Sequence, residues 1–293
     1  MKKFTRTALA LGAVGALALT GCATGDDSAG GESQELTVAI PNGWPEGEAV
    51  SYLWKAILEE KGYTVEAEYA DIVPVFSGVS TGDYDVMMDA WLPLTHQSYW
   101  EEYGDSMVDL GAWNDEAVLT MAVNEDAPID SLEELADNAD VFGERIVGIE
   151  PGAGLTAAVQ DKVIPEYGLD SFEFQTSSTP GMLGELQAAL NNDEDVLVTL
   201  WRPHWAYDAF PLKDLEDPKG ALGETESMHT IAREGFGDDF PEVTEWFESF
   251  EMDSDTLYSL ENAMFNENDS TDYEPIVAEW IEQNQEWVDS LTS

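Results

Sequence analysis

The sequence predicts an α/β protein of two similar lobes joined by a hinge of two chain crossings. Three observations carry this expectation. First, a segment recurs: Asp83-Tyr84-Asp85-Val86-Met87-Met88-Asp89-Ala90-Trp91-Leu92-Pro93 aligns without gaps on Asp193-Glu194-Asp195-Val196-Leu197-Val198-Thr199-Leu200-Trp201-Arg202-Pro203. Each copy is an acidic turn, an apolar run of strand length, and Trp-x-Pro where the strand should stop. Second, strand and helix periodicities alternate in the same order ahead of both copies, which favours parallel strands covered by helices. Third, a strand-like run near His229 returns after the second copy and leads into a helical tail.

The first block opens with a strand over Leu36-Thr37-Val38-Ala39-Ile40, followed by a loop, Pro41-Asn42-Gly43-Trp44-Pro45. Glu48 to Lys61 reads as a helix, with Val50, Leu53, Trp54, Ile57 and Leu58 on one face and Gly62 as its stop. Tyr63–Tyr69 reads as a strand, Val73–Val79 as a helix, and Asp85–Ala90 as the strand before Trp91. The second block restarts at Arg145-Ile146-Val147-Gly148-Ile149. It continues through Glu150-Pro151-Gly152-Ala153-Gly154 into a helix from Leu155 to Tyr167, stopped by Gly168. Phe172-Glu173-Phe174 is a short strand, Met182–Asn191 a helix, and Val196–Leu200 the strand before Trp201. Between the blocks, Ala117–Val123 reads as a strand leaving the first lobe, and Asp130-Ser131-Leu132-Glu133-Glu134-Leu135 as the start of a helix. His229–Ala232 reads as the returning strand, and the tail from Pro241 as amphipathic helix packed on the first lobe.

The N-terminal end reads as a processing signal. Lys2, Lys3 and Arg6 precede an apolar stretch, Ala8–Leu19, too short to span a bilayer. It ends in Leu19-Thr20-Gly21-Cys22, which resembles the bacterial lipobox, in which the cysteine is lipidated and becomes the mature N-terminus. The expected organisation is a signal over 1–21, a small polar tether over 22–35, a first lobe over 36–121 and 228–293, and a second over 122–227. Localisation is expected outside the cytoplasmic membrane, anchored to its outer face by lipid. Cys22 is the only cysteine, so no internal disulfide can form.

The chain holds 61 Asp and Glu against 11 Lys and Arg, a net charge of −50. The signal takes three of the cations and no acid. Such a surface excludes nucleic acid as a partner and repels anionic lipid, which suits a covalent anchor. Ten Trp, ten Tyr and eleven Phe argue for packed cores rather than disorder. No Asp-x-Asp-x-Asp-Gly calcium loop is present.

Trp44, Trp91 and Trp201 fall just after predicted strands, in loops holding Gly or Pro, on the side where open α/β sheets bind ligands. Indole faces attract cations without a counter-charge, so an aromatic cage suits a quaternary ammonium, which has no hydrogen to donate. Gly152-Ala153-Gly154-Leu155 opens a helix whose first amides lack internal partners, a candidate carboxylate or phosphate pocket. His96, His204 and His229 lie in separate segments, a poor pattern for zinc. A histidine donating to a ligand carboxylate or a loop carbonyl fits better, and no metal or other cofactor is expected.

These segments together resemble the glycine betaine-binding proteins of ABC importers, a branch of the periplasmic-type binding proteins. The likeness runs from about residue 36 to the end. It is carried by Gly43-Trp44 with Glu48 beyond, Asp89-Ala90-Trp91-Leu92-Pro93-Leu94-Thr95-His96, Gly148-Ile149-Glu150-Pro151-Gly152-Ala153-Gly154-Leu155, Trp201-Arg202-Pro203-His204-Trp205, and Leu215-Glu216-Asp217-Pro218-Lys219. The resemblance implies a two-lobed fold of the type II kind, and a monomer that delivers its ligand to an ABC permease. It also implies a trimethylammonium group boxed by Trp44, Trp91 and Trp201. The ligand carboxylate would be held by the amides of Gly154 and Leu155 and by His96. Two departures stand out: Leu200 and Arg202 where the family shows Gly-Trp-Thr-Pro-His-Trp, and Pro45 where an Asp often follows the first Trp.

Choline, carnitine or another solute is an alternative ligand. A sugar receptor would need polar side chains around the rings, where Leu92, Pro93 and Leu200 offer none. A secreted hydrolase is the competing class, but the chain shows neither Gly-x-Ser-x-Gly nor His-Glu-x-x-His. The charge gives a direct expectation. Repulsion among surface carboxylates destabilises the folded state and salt screens it. The melting temperature should therefore rise from low to molar salt; equal values in both would remove the idea.

Overall fold

The computed structural model describes residues 35–268 and 270–293. The signal, Cys22 and the tether up to residue 34 lie outside the described residues; Glu35, expected at the end of the tether, already belongs to the first strand. Among the described residues nine strands form one sheet: β1 (Glu35–Pro41), β2 (Thr64–Ala70), β3 (Val86–Leu92), β4 (Met107–Asn124), β5 (Arg145–Val147), β6 (Glu173–Gln175), β7 (Leu197–Arg202), β8 (Leu212–Asp214) and β9 (Glu226–Arg233). Their order is β2-β1-β3-β9-β4-β7-β5-β6, with β8 pairing on β4.

The sequence duplication has a counterpart in topology. β1 lies between β2 and β3, all parallel, and β5 lies between β6 and β7, again parallel. The two blocks are joined by β4, an 18-residue strand. Its first part runs antiparallel to β9, and its second part antiparallel to β7 and β8. Only the second part was legible as a strand from the sequence. Repeated register shifts against β9 and Gly111 at φ 111° break the alternation in the first part, so its polar residues look like a loop.

Local chemistry explains the helices that frame the site. Helix α1 (Pro45–Glu60) has proline at its first position and Glu46 and Glu48 in its first turn, where the helix dipole favours negative charge. Its buried face carries Ala49, Val50, Leu53, Trp54, Ile57 and Leu58. Gly62, at φ 97°, turns the chain into β2. Helix α2 spans Ile72–Thr81, and α3, which the sequence reading did not include, spans Gln97–Tyr103. The expected helix after Gly154 is continuous to Tyr167, as α4 (Gly154–Ala158), a π turn (Val159–Val163) and a last turn ending at Gly168. The helix expected from Asp130 is reduced to short 3-10 turns, Leu132–Glu134 and Ala136–Phe142. A capping box between Ser131 and Glu134 starts it, but Asn138 leaves helical geometry.

The C-terminal helices Pro241–Glu248, Ser254–Glu261 and Glu274–Gln283 pack on α1 and β4. Trp54 is the centre of this layer. It is fully buried and meets Phe247 and Phe250 edge-on, with centroids 4.9 and 5.3 Å away. Trp113 stacks on Phe250 and donates its indole N–H to the Met88 carbonyl at 2.8 Å, tying this layer to β3. Removing so large a buried ring leaves a cavity. Trp54→Ala should lower stability by about 3–5 kcal/mol, read as a fall in the urea midpoint.

Candidate ligand-binding site

β3 and β7 both end at the same cleft. It is lined by Trp44, Glu46, Trp91, Thr95, His96, Leu119, Ile149, Ala153, Gly154, Leu155 and Trp201. All six residues expected from the sequence to contact a ligand, Trp44, Trp91, Trp201, His96, Gly154 and Leu155, line this one cavity. Trp91 and Trp201 are the penultimate residues of β3 and β7 rather than loop residues beyond them, and Trp44 is the residue that caps α1. All three rings are buried. The indole N–H groups of Trp44 and Trp201 make no hydrogen bond.

The turn after β3 is fixed from both sides. The Glu226 carboxylate accepts the backbone N–H of Leu94 and of Thr95 at 3.0 and 2.9 Å, and also takes the Thr95 hydroxyl. His96 Nδ1 accepts the Trp91 backbone N–H at 2.9 Å. An accepting Nδ1 requires the ring proton on Nε2. That N–H is buried without a protein partner and belongs to a ring lining the cavity, stacked on Trp44 at 5.5 Å. Burial pushes the His96 pKa down to about 3, so the ring is a neutral donor at physiological pH. His204 repeats the arrangement after β7. Its Nδ1 accepts the Ala206 N–H at 3.0 Å, its ring meets Trp201 edge-on at 4.7 Å, and burial lowers its pKa to about 3. It does not line the cavity. His229 lies apart, beside Asp109 at 3.0 Å. Among the described residues no group of three or more His, Cys, Asp or Glu side chains could hold a metal ion.

Gly154 and Leu155 are the first two residues of α4, so their amides belong to the set that a helix leaves without internal acceptors. The approach of the Thr95 turn to this helix start is close. A Cβ on Gly154 would collide with the backbone carbonyl oxygen of Thr95. Nearby, the Tyr99 hydroxyl donates to the Gly152 carbonyl at 2.6 Å. Arg202 is not among the lining residues. Its guanidinium pairs with Asp214 at 2.7 Å and lies 3.5 Å from the centre of the Tyr207 ring.

Glu46 was not singled out from the sequence. It sits in the first turn of α1, lines the cavity, and is buried with Oε2 unpartnered. Burial pushes its pKa up to about 8, partly offset by its own backbone N–H and by the indoles of Trp201 and Trp91. Behind it lies Asp89, whose Oδ1 accepts the Trp91 indole N–H at 2.9 Å. Burial and then the neighbouring Glu46 raise Asp89 well above the usual carboxylate range. Glu261, from the C-terminal helices, is a third buried acid raised by burial and then by Glu46. Within 61 acids a single Glu two residues after a Trp carries no signal in one sequence; its burial beside two others is a tertiary fact. Glu48, which the sequence does draw attention to, reaches the Tyr69 hydroxyl instead.

The chemistry of this cavity is divided. One part offers indole faces and a carboxyl group, the other a neutral imidazole N–H and helix-start amides. Among the described residues no helix is long and apolar enough to cross a membrane.

The glycine betaine/carnitine transport binding protein GbuC of Listeria monocytogenes is 34% identical over 171 residues, 56% of this chain and 55% of that protein, so the match spans about half the relative's length. The crystal structure of lactococcal OpuAC, closed and complexed with glycine betaine, superposes with a TM-score of 0.82 at 29% identity, covering 89% of this chain and 100% of that one. The glycine/betaine/L-proline-binding protein ProX of Borrelia burgdorferi superposes with a TM-score of 0.82 at 28% identity, covering 89% and 97%. These neighbours place the architecture among the type II periplasmic binding proteins. The family model described as the substrate binding domain of the ABC-type glycine betaine transport system matches residues 34–283. The chain therefore belongs to the family of substrate-binding domains of ABC-type glycine betaine transport systems.

Proposed function

We propose that this protein captures glycine betaine, or a closely related quaternary ammonium zwitterion, in the cavity between its two blocks and hands it to an ABC permease. The observation that carries the reading is the convergence of three indoles, the buried and unpartnered His96 Nε2, and the helix start at Gly154 and Leu155 on one cavity. The methylated nitrogen sits among Trp44, Trp91 and Trp201, and the ligand carboxylate accepts from His96 and the helix start. Each ring face contributes about 0.5–2 kcal/mol to holding the cation, more where water is excluded.

The two chain blocks act as lobes, 36–121 with 228–293 and 122–227, that close over the ligand. Trp44, Trp91 and His96 come from one, Gly154, Leu155 and Trp201 from the other. One zwitterion thus bridges both and favours the closed state. Cys22 carries the lipid that anchors a monomer outside the cytoplasmic membrane, where its acidic surface suits a salty milieu.

The cage is tested by truncation. Trp91→Ala or Trp201→Ala should weaken glycine betaine binding by about tenfold or more in titration calorimetry, one ring being worth about the free energy of one decade. Wild-type affinity in both variants with the fold intact would overturn the cage. A panel of glycine betaine, proline betaine, choline, carnitine and glycine tests the other end. Choline has no carboxylate and should bind more weakly than glycine betaine. The helix start is tested by Gly154→Ala. The added methyl must push α4 off the backbone of Thr95, carrying both amides with it, and glycine betaine should bind about tenfold more weakly. Unchanged affinity would remove these amides from the site.

A further inference from the structure

We propose that Glu46 is the counter-charge of the bound cation and gives up a proton when that cation enters the cage. The inference rests on the proposed function and adds to it a residue that sets specificity and a proton that travels with the ligand.

The argument begins with geometry. Glu46 shares the cavity wall with Trp91 and Trp201, and its Oε2 is buried with no hydrogen bond. Asp89 lies directly beneath the same first turn of α1, for a Cβ on Gly47 would overlap its carboxylate. The groups facing Glu46 are Asp89 from β3, Glu261 from the helix Ser254–Glu261, and the indoles of Trp91 and Trp201. His96 and His204, in the turns after β3 and β7, are both neutral. The cation of the second turn, Arg202, is taken up by Asp214. Three buried carboxyl groups cannot all ionise beside one another. Asp89 has the Trp91 N–H as a donor to one oxygen at 2.9 Å, whereas Glu46 Oε2 makes no hydrogen bond, and the Trp201 and Trp91 indoles beside that carboxyl only partly offset its burial.

Burial pushes Glu46 up to about 8, so at neutral pH the unliganded protein holds it as the acid. A quaternary ammonium placed in the cage supplies the missing positive charge at short range and low dielectric, and the positive end of the α1 dipole acts in the same sense. The Glu46 O–H bond then breaks, the carboxylate stays beside the cation, and the proton leaves to the solvent. A group whose pKa is lower in the complex binds fewer protons there. Affinity for the cation therefore rises with pH between the two values and is flat outside them. A neutral isostere of the ligand gains nothing from Glu46, so this carboxylate selects for charge where the rings alone select for shape.

The test is calorimetric titration of the full chain with glycine betaine at pH 7, in phosphate and in Tris. These buffers have very different ionisation enthalpies, so the heats report protons released. The wild type should release close to one proton per ligand, and its Kd should fall by about twentyfold or more between pH 6 and pH 8, nearly one decade per pH unit. Glu46→Gln keeps shape and loses the titration. It should release no proton and show a pH-independent Kd. It should match the wild type to within about a factor of two or three at pH 6 and bind about tenfold or more weakly at pH 8. Wild-type heats independent of buffer would overturn the proposal, as would a Glu46→Gln variant that still releases the proton, which would assign the event to Asp89 or Glu261. A thermal melt of the variant distinguishes loss of charge from loss of fold. Absence of any binding heat in the wild type would refute the ligand reading itself, a different failure from binding without proton release.

Discussion

A methylated cation leaves water at a high energetic cost, and it can repay no protein group with a hydrogen bond. A site for it must therefore be dry, must present electron-rich faces from several directions, and must hold those faces in place before the ligand arrives. No single helix or strand can supply such a set. The faces have to be brought from distant parts of the chain, and here they come from the start of α1 and from the ends of β3 and β7. The parallel blocks β2-β1-β3 and β6-β5-β7 make this possible, because each aims the C-terminal end of its last strand at the same cavity.

The supports beneath the rings are polar, and they set chemistry as well as position. The Glu226 carboxylate gathers three donors from the turn after β3. That turn lets His96 accept the Trp91 N–H, and the accepted bond leaves the outer ring nitrogen protonated. Burial then keeps the imidazole neutral. In the proposed binding mode a charged histidine would repel the ligand's cation, whereas a neutral one can donate to its carboxylate without that penalty. The His204 turn repeats the local geometry but does not reach the cavity, so the duplication of sequence is not a duplication of role.

The chain is acidic in two distinct ways. Most carboxylates are solvated, and their mutual repulsion is a matter of ionic strength. Glu46, Asp89 and Glu261 are buried, and for them burial dominates every other influence. Net charge says nothing of the second group. It is burial, and after it their nearness to one another, that raises these three acids above the usual carboxylate range.

The sequence by itself determined the strand and helix order within each of the two blocks, the repeat around Trp91 and Trp201, and six residues that meet in one cavity. These were legible because hydrophobic period, glycine stops and tryptophans at strand ends are local signals. The joining of both blocks into one sheet through β4 was not legible, since bulges and Gly111 disguise half of that strand as a loop. Nor was Glu46, since nothing local marks one acid among 61. Arg202 looked close to the cation site in sequence, and only the fold turned it to Asp214 and Tyr207. Periodicity reports which face of an element is buried. Which charges are buried together depends on contacts between residues far apart in the chain, and those exist only once the chain has folded.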